Sequence, residues 1–188
     1  MKPLRSFIPP LAAMLMAASG GATAQGVLID RSEIRFVSKQ MGANVEGRFR
    51  RWKANVDFRP NDLAHSKAGF EIELASIDLA SEESESEIRR PLWFDTAKYP
   101  VATFASTAIK DVGGDRYEIA GTLAMKGIAR DVVVPVVLKR DAAGNSVAEG
   151  LFTVRRLAFN IGEGPWADTE AVADDVTVRV RIVLSPLR

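Results

Sequence analysis

The sequence contains no cysteine and only one histidine, His65. The first absence removes disulfide bonds, thiol catalysis and the acylated cysteine of a lipoprotein. Together the two leave too few soft or borderline ligands for a transition-metal cluster. A Ser-His-Asp site would have to run through His65, which lies in the polar stretch NDLAHSK between two strand-like segments. No serine occupies a strand-G-x-S-x-G-helix context, so His65 is expected at an exposed loop position. An excess of one charge sign is also missing, since 25 basic side chains stand against 24 acidic ones. Without a basic field, nucleic acid is not expected as a partner.

Long apolar runs are absent too. The run from Ile8 to Ala18 is shorter than the ~20 residues a spanning helix needs. Lys2 and Arg5 precede it and Ala22-Thr23-Ala24 follows it. Basic, apolar and small residues in that order read as a secretory signal over residues 1–24, cleaved before Gln25. Removing 24 of the 188 residues leaves 164, which suits one domain, residues 25–188, with a sizeable core. With no cysteine, that domain must be held by packing alone.

From Gln25 onward the chain alternates with period two, the signature of half-buried strands. Ile34 and Phe36 face one way while Arg35 and Lys39 face the other. Val45, Gly47 and Phe49 share one phase and Trp52, Ala54, Val56 and Phe58 the opposite one, which places a bulge or tight bend near Arg50 and Arg51. A second shift separates Phe70, Ile72 and Leu74 from Ile77 and Leu79. After Pro100, alternation through Ala102, Phe104 and Ser106 reaches Gly113-Gly114-Asp115 and returns through Tyr117, Ile119, Gly121, Leu123 and Met125 as a hairpin. Lys126-Gly127 and Ala143-Gly144-Asn145 are further turns, Pro135 suggests a bulge, and Val176 to Leu184 form the last strand. Helix-compatible sequence occurs only around Ser81 to Phe94, with Ser84 and Glu87 at capping-box spacing and Pro91 as the stop. Seven or eight strands with short turns and one short helix indicate an all-β antiparallel sandwich or closed barrel, and the barrel is preferred.

Several stretches resemble chemical motifs and do not meet their requirements. The glutamates of SEESESE suit a solvated helix start. Asp168, Glu170, Asp174 and Asp175 lack the D-x-[DN]-x-[DN]-G calcium-loop spacing. Gly162, Gly164 and Pro165 in NIGEGPWAD lack both a following helix and a Lys-Ser/Thr pair, so they form a lid or turn rather than a phosphate loop. Trp166 within it either covers an apolar opening or packs under its own loop.

What the chain does carry is a set of large apolar side chains on the phase opposite the charges: Phe36, Phe49, Phe70, Ile72, Phe104, Tyr117, Ile119 and Phe152. In a small barrel these point inward, either filling it as a dry core or lining a cavity. Arg156 shares the phase of Phe152 and Val154, which carries its guanidinium inward or to the rim. A charge so placed needs a partner: an internal acid, a ligand head group, or a local bulge that returns it to solvent. Trp93 and Phe94, beside Asp95 and ahead of the Phe104 strand, read as wall and entrance; Asp95 itself suits a turn.

The segments SEIRFVSKQMGANVEGRF, WFDTAKYPVATFAST, YEIAGTLAMKGIARDVVVPV, GLFTVRRLAFNIGEGPWAD and DDVTVRVRIVL together resemble the YceI-like family across almost the whole mature chain. Its more specific elements are Phe94-Asp95, Tyr99-Pro100, Phe104-Ala105-Ser106, Gly121-x-Leu123, Lys126-Gly127 and Arg156-x-x-Phe159-x-Ile161-Gly162. The resemblance implies a lipocalin-like closed antiparallel β-barrel of about eight strands with one short helix, exported to the periplasm. It further implies a polyisoprenoid or other long-chain amphiphile held inside, such as a quinone or polyprenyl carrier, with no cofactor and no reaction. It leaves a homodimer and transient membrane contact open. Many relatives carry Asp-x-His-Leu ahead of the aromatic pair, where this chain has EIRRPLWF. Two other functions compete: a barrel enzyme using Arg156, Tyr117 or Asp95, against which stands the lack of a competent base, and a dry interaction module serving a membrane redox partner.

Overall fold

The computed structural model describes residues 26–186, so the expected signal sequence and its cleavage site lie outside the described residues. Ten strands alternate with short turns: β1 (Glu33–Gln40), β2 (Ala43–Phe49), β3 (Trp52–Asp57), β4 (Lys67–Glu73), β5 (Ile77–Asp78), β6 (Val101–Asp111), β7 (Arg116–Met125), β8 (Ile128–Arg140), β9 (Ser146–Arg155) and β10 (Asp175–Leu184). They form one curled antiparallel sheet in the order β3-β4-β6-β7-β8-β9-β10-β1-β2-β5. The single α-helix, α1 (Glu82–Ile88), follows β5. No helix among the described residues is long and apolar enough to cross a membrane.

Ten strands stand where about eight are expected, because two long strands are broken by bends at the phase shifts visible in the sequence. Between β2 and β3 the chain turns at Arg50 and Arg51, and between β4 and β5 a 3-10 turn spans Leu74–Ser76. The two bends are stitched together. Arg50 N–H donates to Ser76 O at 3.0 Å and Glu73 N–H donates to Arg51 O at 3.1 Å. The buried Ser76 hydroxyl accepts from Arg51 N–H at 3.0 Å and donates to Glu73 O at 2.6 Å. Polar backbone exposed by a bend inside an apolar fold thus finds a partner in the opposite bend.

Other expectations are corrected. Pro135 makes no bulge: β8 stays in register with β7 through Glu118↔Pro135, and the ladder to β9 begins only at Val136. A proline lacks the N–H that ladder would use, so it marks where β8 and β9 part. The register shift falls instead in β6, between Ser106 and Ala108. Helix α1 is capped by Ser81, whose side chain accepts from Ser84 N–H, and not by Ser84. Trp93 and Phe94 lie in the turns that follow Pro91, beyond the helix, with Phe94 N–H donating to Ile88 O at 3.0 Å. His65 is exposed in a 3-10 turn, its Nδ1 2.8 Å from Asp62.

Two buried clusters divide the interior. One holds Leu74, Ile77, Phe94, Leu123, Val154, Phe159 and Ile161 toward the end bearing α1. The other holds Val56, Phe58, Ile109, Ile182 and Leu184 at the far end.

The turn between β8 and β9 hangs on Asp141, whose carboxylate accepts from Ala143 and Asn145 N–H, from the Asn145 amide and from Arg31. These bonds, the Asn145 amide first, hold the Asp141 carboxyl at about 2. Asp78 is held well below the usual carboxylate range by Arg50 and then Arg48. A folded value below the unfolded ~3.9 means stability that is present above that pH and lost as pH falls through the folded value. Thermal melts should therefore show Tm falling from about pH 4 toward pH 2, with a shallower fall in Asp141→Asn.

Candidate ligand cavity

The curl of the sheet encloses a cavity of about 450 Å³ that runs from the α1 end, past Phe104 and Phe152, to Ile182 and Leu184. Each strand contributes its inward phase. Phe36 packs 5.7 Å from Phe49, which meets Phe94 edge-on at 6.4 Å, and on another wall Phe70 lies 6.3 Å from Phe104. Of the residues expected to face inward, Phe36, Phe49, Phe70, Ile72, Phe104, Ile119 and Phe152 line the cavity, as do Trp93, Phe94 and Trp166.

Tyr117 does not. It sits past the floor of the cavity in the far-end cluster, edge-on to Phe58 at 5.1 Å and 85°. Its phase is inward, but it is the second residue of β7, where Phe58 plugs that end of the sheet. Burial, ahead of Asp111 and Asp115, pushes its hydroxyl pKa up.

Glycines keep the interior open, a signal available in the sequence but missed. Gly47 and Gly121 occupy inward positions opposite large rings. A Cβ on Gly47 would stand 2.8 Å from both Phe36 Cε1 and Leu79 Cδ2, and one on Gly121 would stand 2.5 Å from Phe104 Cζ. Rings lie flat over these glycines against the wall instead of projecting into the lumen.

Arg156 points inward, lines the cavity and is 3% exposed, and no acid is its partner. Its Nε donates to Ala173 O at 3.0 Å, Nη1 to Ile161 O at 2.9 Å and Gly162 O at 3.0 Å, and Nη2 to Trp166 O at 2.7 Å and Val172 O at 2.6 Å. All five N–H groups of a guanidinium are thereby used, so the expected head-group role is corrected to that of a loop organiser. Burial pushes its pKa down, with the Asp174 carboxylate opposing. Asp174 itself accepts from Arg155 Nε at 2.8 Å and Leu157 N–H at 2.9 Å.

Lys126 braces the same loop. Its buried ammonium donates to Asn160 O at 2.5 Å and Glu163 at 2.7 Å, while Tyr99 packs over Gly127. Gly162 and Glu163 N–H both donate to Leu92 O at 2.8 Å, which ties this loop to the Trp93 turn. Trp93 and Trp166 consequently pack at a tilt of 50° with centroids 5.4 Å apart, so Trp166 both lines the cavity and packs within the loops. The open end is completed by Ser38 and Gln40 of β1 and by Glu83, Ser84 and Glu87 of α1, none of which alternation alone singled out. Among the described residues no group of three or more His, Asp or Glu is placed to hold a metal ion.

Of the residues that the resemblance marked as specific, Phe94, Tyr99, Lys126-Gly127 and Arg156 to Gly162 gather around these loops, while Phe104 to Ser106 and Gly121 to Leu123 pair in the β6–β7 ladder. Residues 27–184 match the YceI-like domain. The chain belongs to the YceI-like family. It is 30% identical over 131 residues to Protein YceI of Escherichia coli O157:H7, covering 67% of this chain and 68% of that protein. Among solved structures it superposes on Burkholderia cenocepacia BcnA with a TM-score of 0.81 at 38% identity, over 85% of this chain and 100% of that one. It shares its fold with a polyisoprenoid binding domain from Saccharophagus degradans, with a TM-score of 0.71 at 17% identity over 87% and 99% of the two chains.

Proposed function

We propose that this YceI-like protein binds and carries a long-chain, isoprenoid-type lipid in the interior of a closed, lipocalin-like barrel, without chemical turnover. One observation carries the reading: an apolar cavity of about 450 Å³ runs along the inside of the sheet. That volume lies within the ~300–1,000 Å³ range of small-molecule sites. Each methylene buried in it is worth ~0.8 kcal/mol, so a long flexible chain binds well without a specific polar contact. Closure is supported by the bends. β2 continues into β3 and pairs with β5, while β3 pairs with β4, which continues into β5. Counting each bent strand once gives eight staves, the number expected of such a barrel.

Organic extraction or native mass spectrometry of purified protein tests the reading. A co-purifying chain lipid supports it, and protein of unchanged mass that takes up no added lipid overturns it. Export to the periplasm through the signal at residues 1–24 is part of the proposal, and N-terminal sequencing of exported protein is expected to start at Gln25.

Gly47→Ala probes the open lumen directly. The added methyl meets the movable tips of Phe36 and Leu79 rather than backbone, so the ring is displaced into the cavity. Lipid retention is expected to fall several-fold while Tm changes by only a few degrees, within the ~1–3 kcal/mol typical of small-to-large changes.

A further inference from the structure

Given the lipid-binding reading, a ligand has to pass between the cavity and its source, and the tip of the β1–β2 hairpin bears on how it does so. Gln40 pairs with Ala43, so Met41 and Gly42 alone make the turn, with φ of 50° and 80°. Two positive φ values in a two-residue hairpin loop favour Asn-Gly, and a long apolar side chain suits the first position poorly. The Lys126-Gly127 turn has the same signs, at 47° and 75°, and there the buried Lys126 ammonium bonds to Asn160 O and Glu163. The other non-glycine residues with positive φ are small or polar: Ala80, Asp95, Asp115 and Asn160. Met41 instead is 80% exposed, against 54% for Val133, the next most exposed large apolar side chain among the described residues.

The tip is fixed in place by its backbone. Met41 N–H donates to Ala171 O at 2.8 Å and Ala173 N–H donates to Lys39 O at 2.9 Å, while a Cβ on Gly42 would meet nothing within 4 Å. Met41 therefore stands clear of the sheet, next in the chain to Gln40, which lines the open end of the cavity. A second exposed apolar side chain, Leu92, lies on the turn beside Trp93, against Gly164 of the same loop system. An apolar side chain that is unfavourable in its turn and in water, at the mouth of an apolar cavity, suits contact with an apolar phase. Charge decides which surface provides it. Glu82 and Glu83 of α1 and Asp168 and Glu170 of the loop that holds the tip are exposed. Arg89 and Arg90 of the same end are paired with Glu85 and Glu87, which leaves Lys39 as the cation beside the tip. This excess of carboxylates repels an anionic bilayer and leaves a zwitterionic one accessible.

We propose that the β1–β2 tip, with Met41 as its foremost side chain, dips into a zwitterionic lipid bilayer and seats the mouth of the cavity on the membrane, so that ligand passes directly between bilayer and cavity. Protein loaded with all-trans-retinol, a fluorescent isoprenoid, is mixed with phosphatidylcholine vesicles and the transfer rate is followed. For wild type the rate is expected to rise in proportion to vesicle concentration, because transfer requires contact. Met41→Asn is expected to slow transfer about tenfold, the order of the gain from burying a methionine side chain in an apolar phase. In the same variant the solution affinity for retinol is expected to stay and Tm to stay or rise, since Asn suits the turn. Slower transfer without lost stability is a result that a merely structural role for Met41 does not give. Met41→Leu is expected to retain most of the rate. Phosphatidylglycerol vesicles are expected to accept retinol more slowly than phosphatidylcholine at low salt, with the difference closing as salt is added. A rate independent of vesicle concentration, an unchanged rate in Met41→Asn, faster transfer to phosphatidylglycerol, or a loss of solution affinity that matches the loss of rate overturns the proposal and leaves lipid binding intact. A Met41-dependent dimer in sedimentation, with no vesicle-dependent transfer, assigns the tip to a second copy of the chain and overturns it as well. If retinol and extracted lipids alike fail to bind in solution, the lipid-binding reading falls and this inference with it.

Discussion

Phe104→Asp is expected to give a folded protein that emerges from purification without lipid. Phe104 lines the cavity, its ring lies over Gly121 and it stands 6.3 Å from Phe70. A carboxylate in that position must give up water with no cation facing it, at a cost of several kcal/mol, or take up a proton. A bound chain would complete the desolvation, so charge and ligand exclude one another. The cost of folding is smaller, because the empty lumen can admit water around the acid, whereas Phe→Ala in a filled core costs ~3–5 kcal/mol. Organic extraction gives the readout, with circular dichroism as the check on folding. Phe104→Ala is the control for lost contact area and is expected to retain part of the lipid. Because protonation removes the charge, the Asp variant is expected to recover some binding at acidic pH. A folded Phe104→Asp protein that carries the wild-type amount of lipid at neutral pH would show that this side chain does not border the ligand.

Period-two alternation is a property of single strands, and whatever follows from single strands was legible. The inward phase of Phe36, Phe49, Phe70 and Phe104 and the shift at Arg50-Arg51 appear in the structure where the pattern put them. What depends on the meeting of distant backbone was not legible. The bend at Leu74–Ser76 is held by Ser76 against Arg51, 25 residues away, and no local sequence pattern marks such a contact. Tyr117 shows the same limit: its phase is inward, but depth along the curled sheet decides whether an inward residue meets the cavity or the plug, and alternation carries no information about depth. The helix cap lies at Ser81 although only Ser84, with Glu87 three residues on, has capping-box spacing, and the extended backbone that makes Ser81 the cap leaves no such mark in the sequence. Arg156 is the clearest case. Side-chain patterning suggests side-chain or ligand partners for a buried cation, whereas the partners here are carbonyls, which every residue possesses.

That arrangement makes Arg156→Met the variant with the largest expected effect on stability. The substitution keeps much of the apolar stem and removes five donors at once, leaving the carbonyls of Ile161, Gly162, Trp166, Val172 and Ala173 without them. Each buried carbonyl left unpaired costs about 1–3 kcal/mol, and some regain water as the loop loosens, so a net loss of about 3–5 kcal/mol is expected. For a domain of this size that corresponds to a Tm lower by about 10 °C. Arg156→Lys is expected to fall between, because an ammonium has three donors on one atom and cannot span five carbonyls held in a fork. Amide exchange locates the damage. Protection should be lost at Ile161, Gly162 and Val172, whose N–H groups are bonded within and around this loop, before it is lost in β7 and β8. Lipid binding is expected to weaken whatever head the lipid carries, since Trp166 and Trp93 lose their support together. An Arg156→Met protein of wild-type Tm that selectively loses polar-headed lipids would return the guanidinium to the ligand and refute its assignment to the loop.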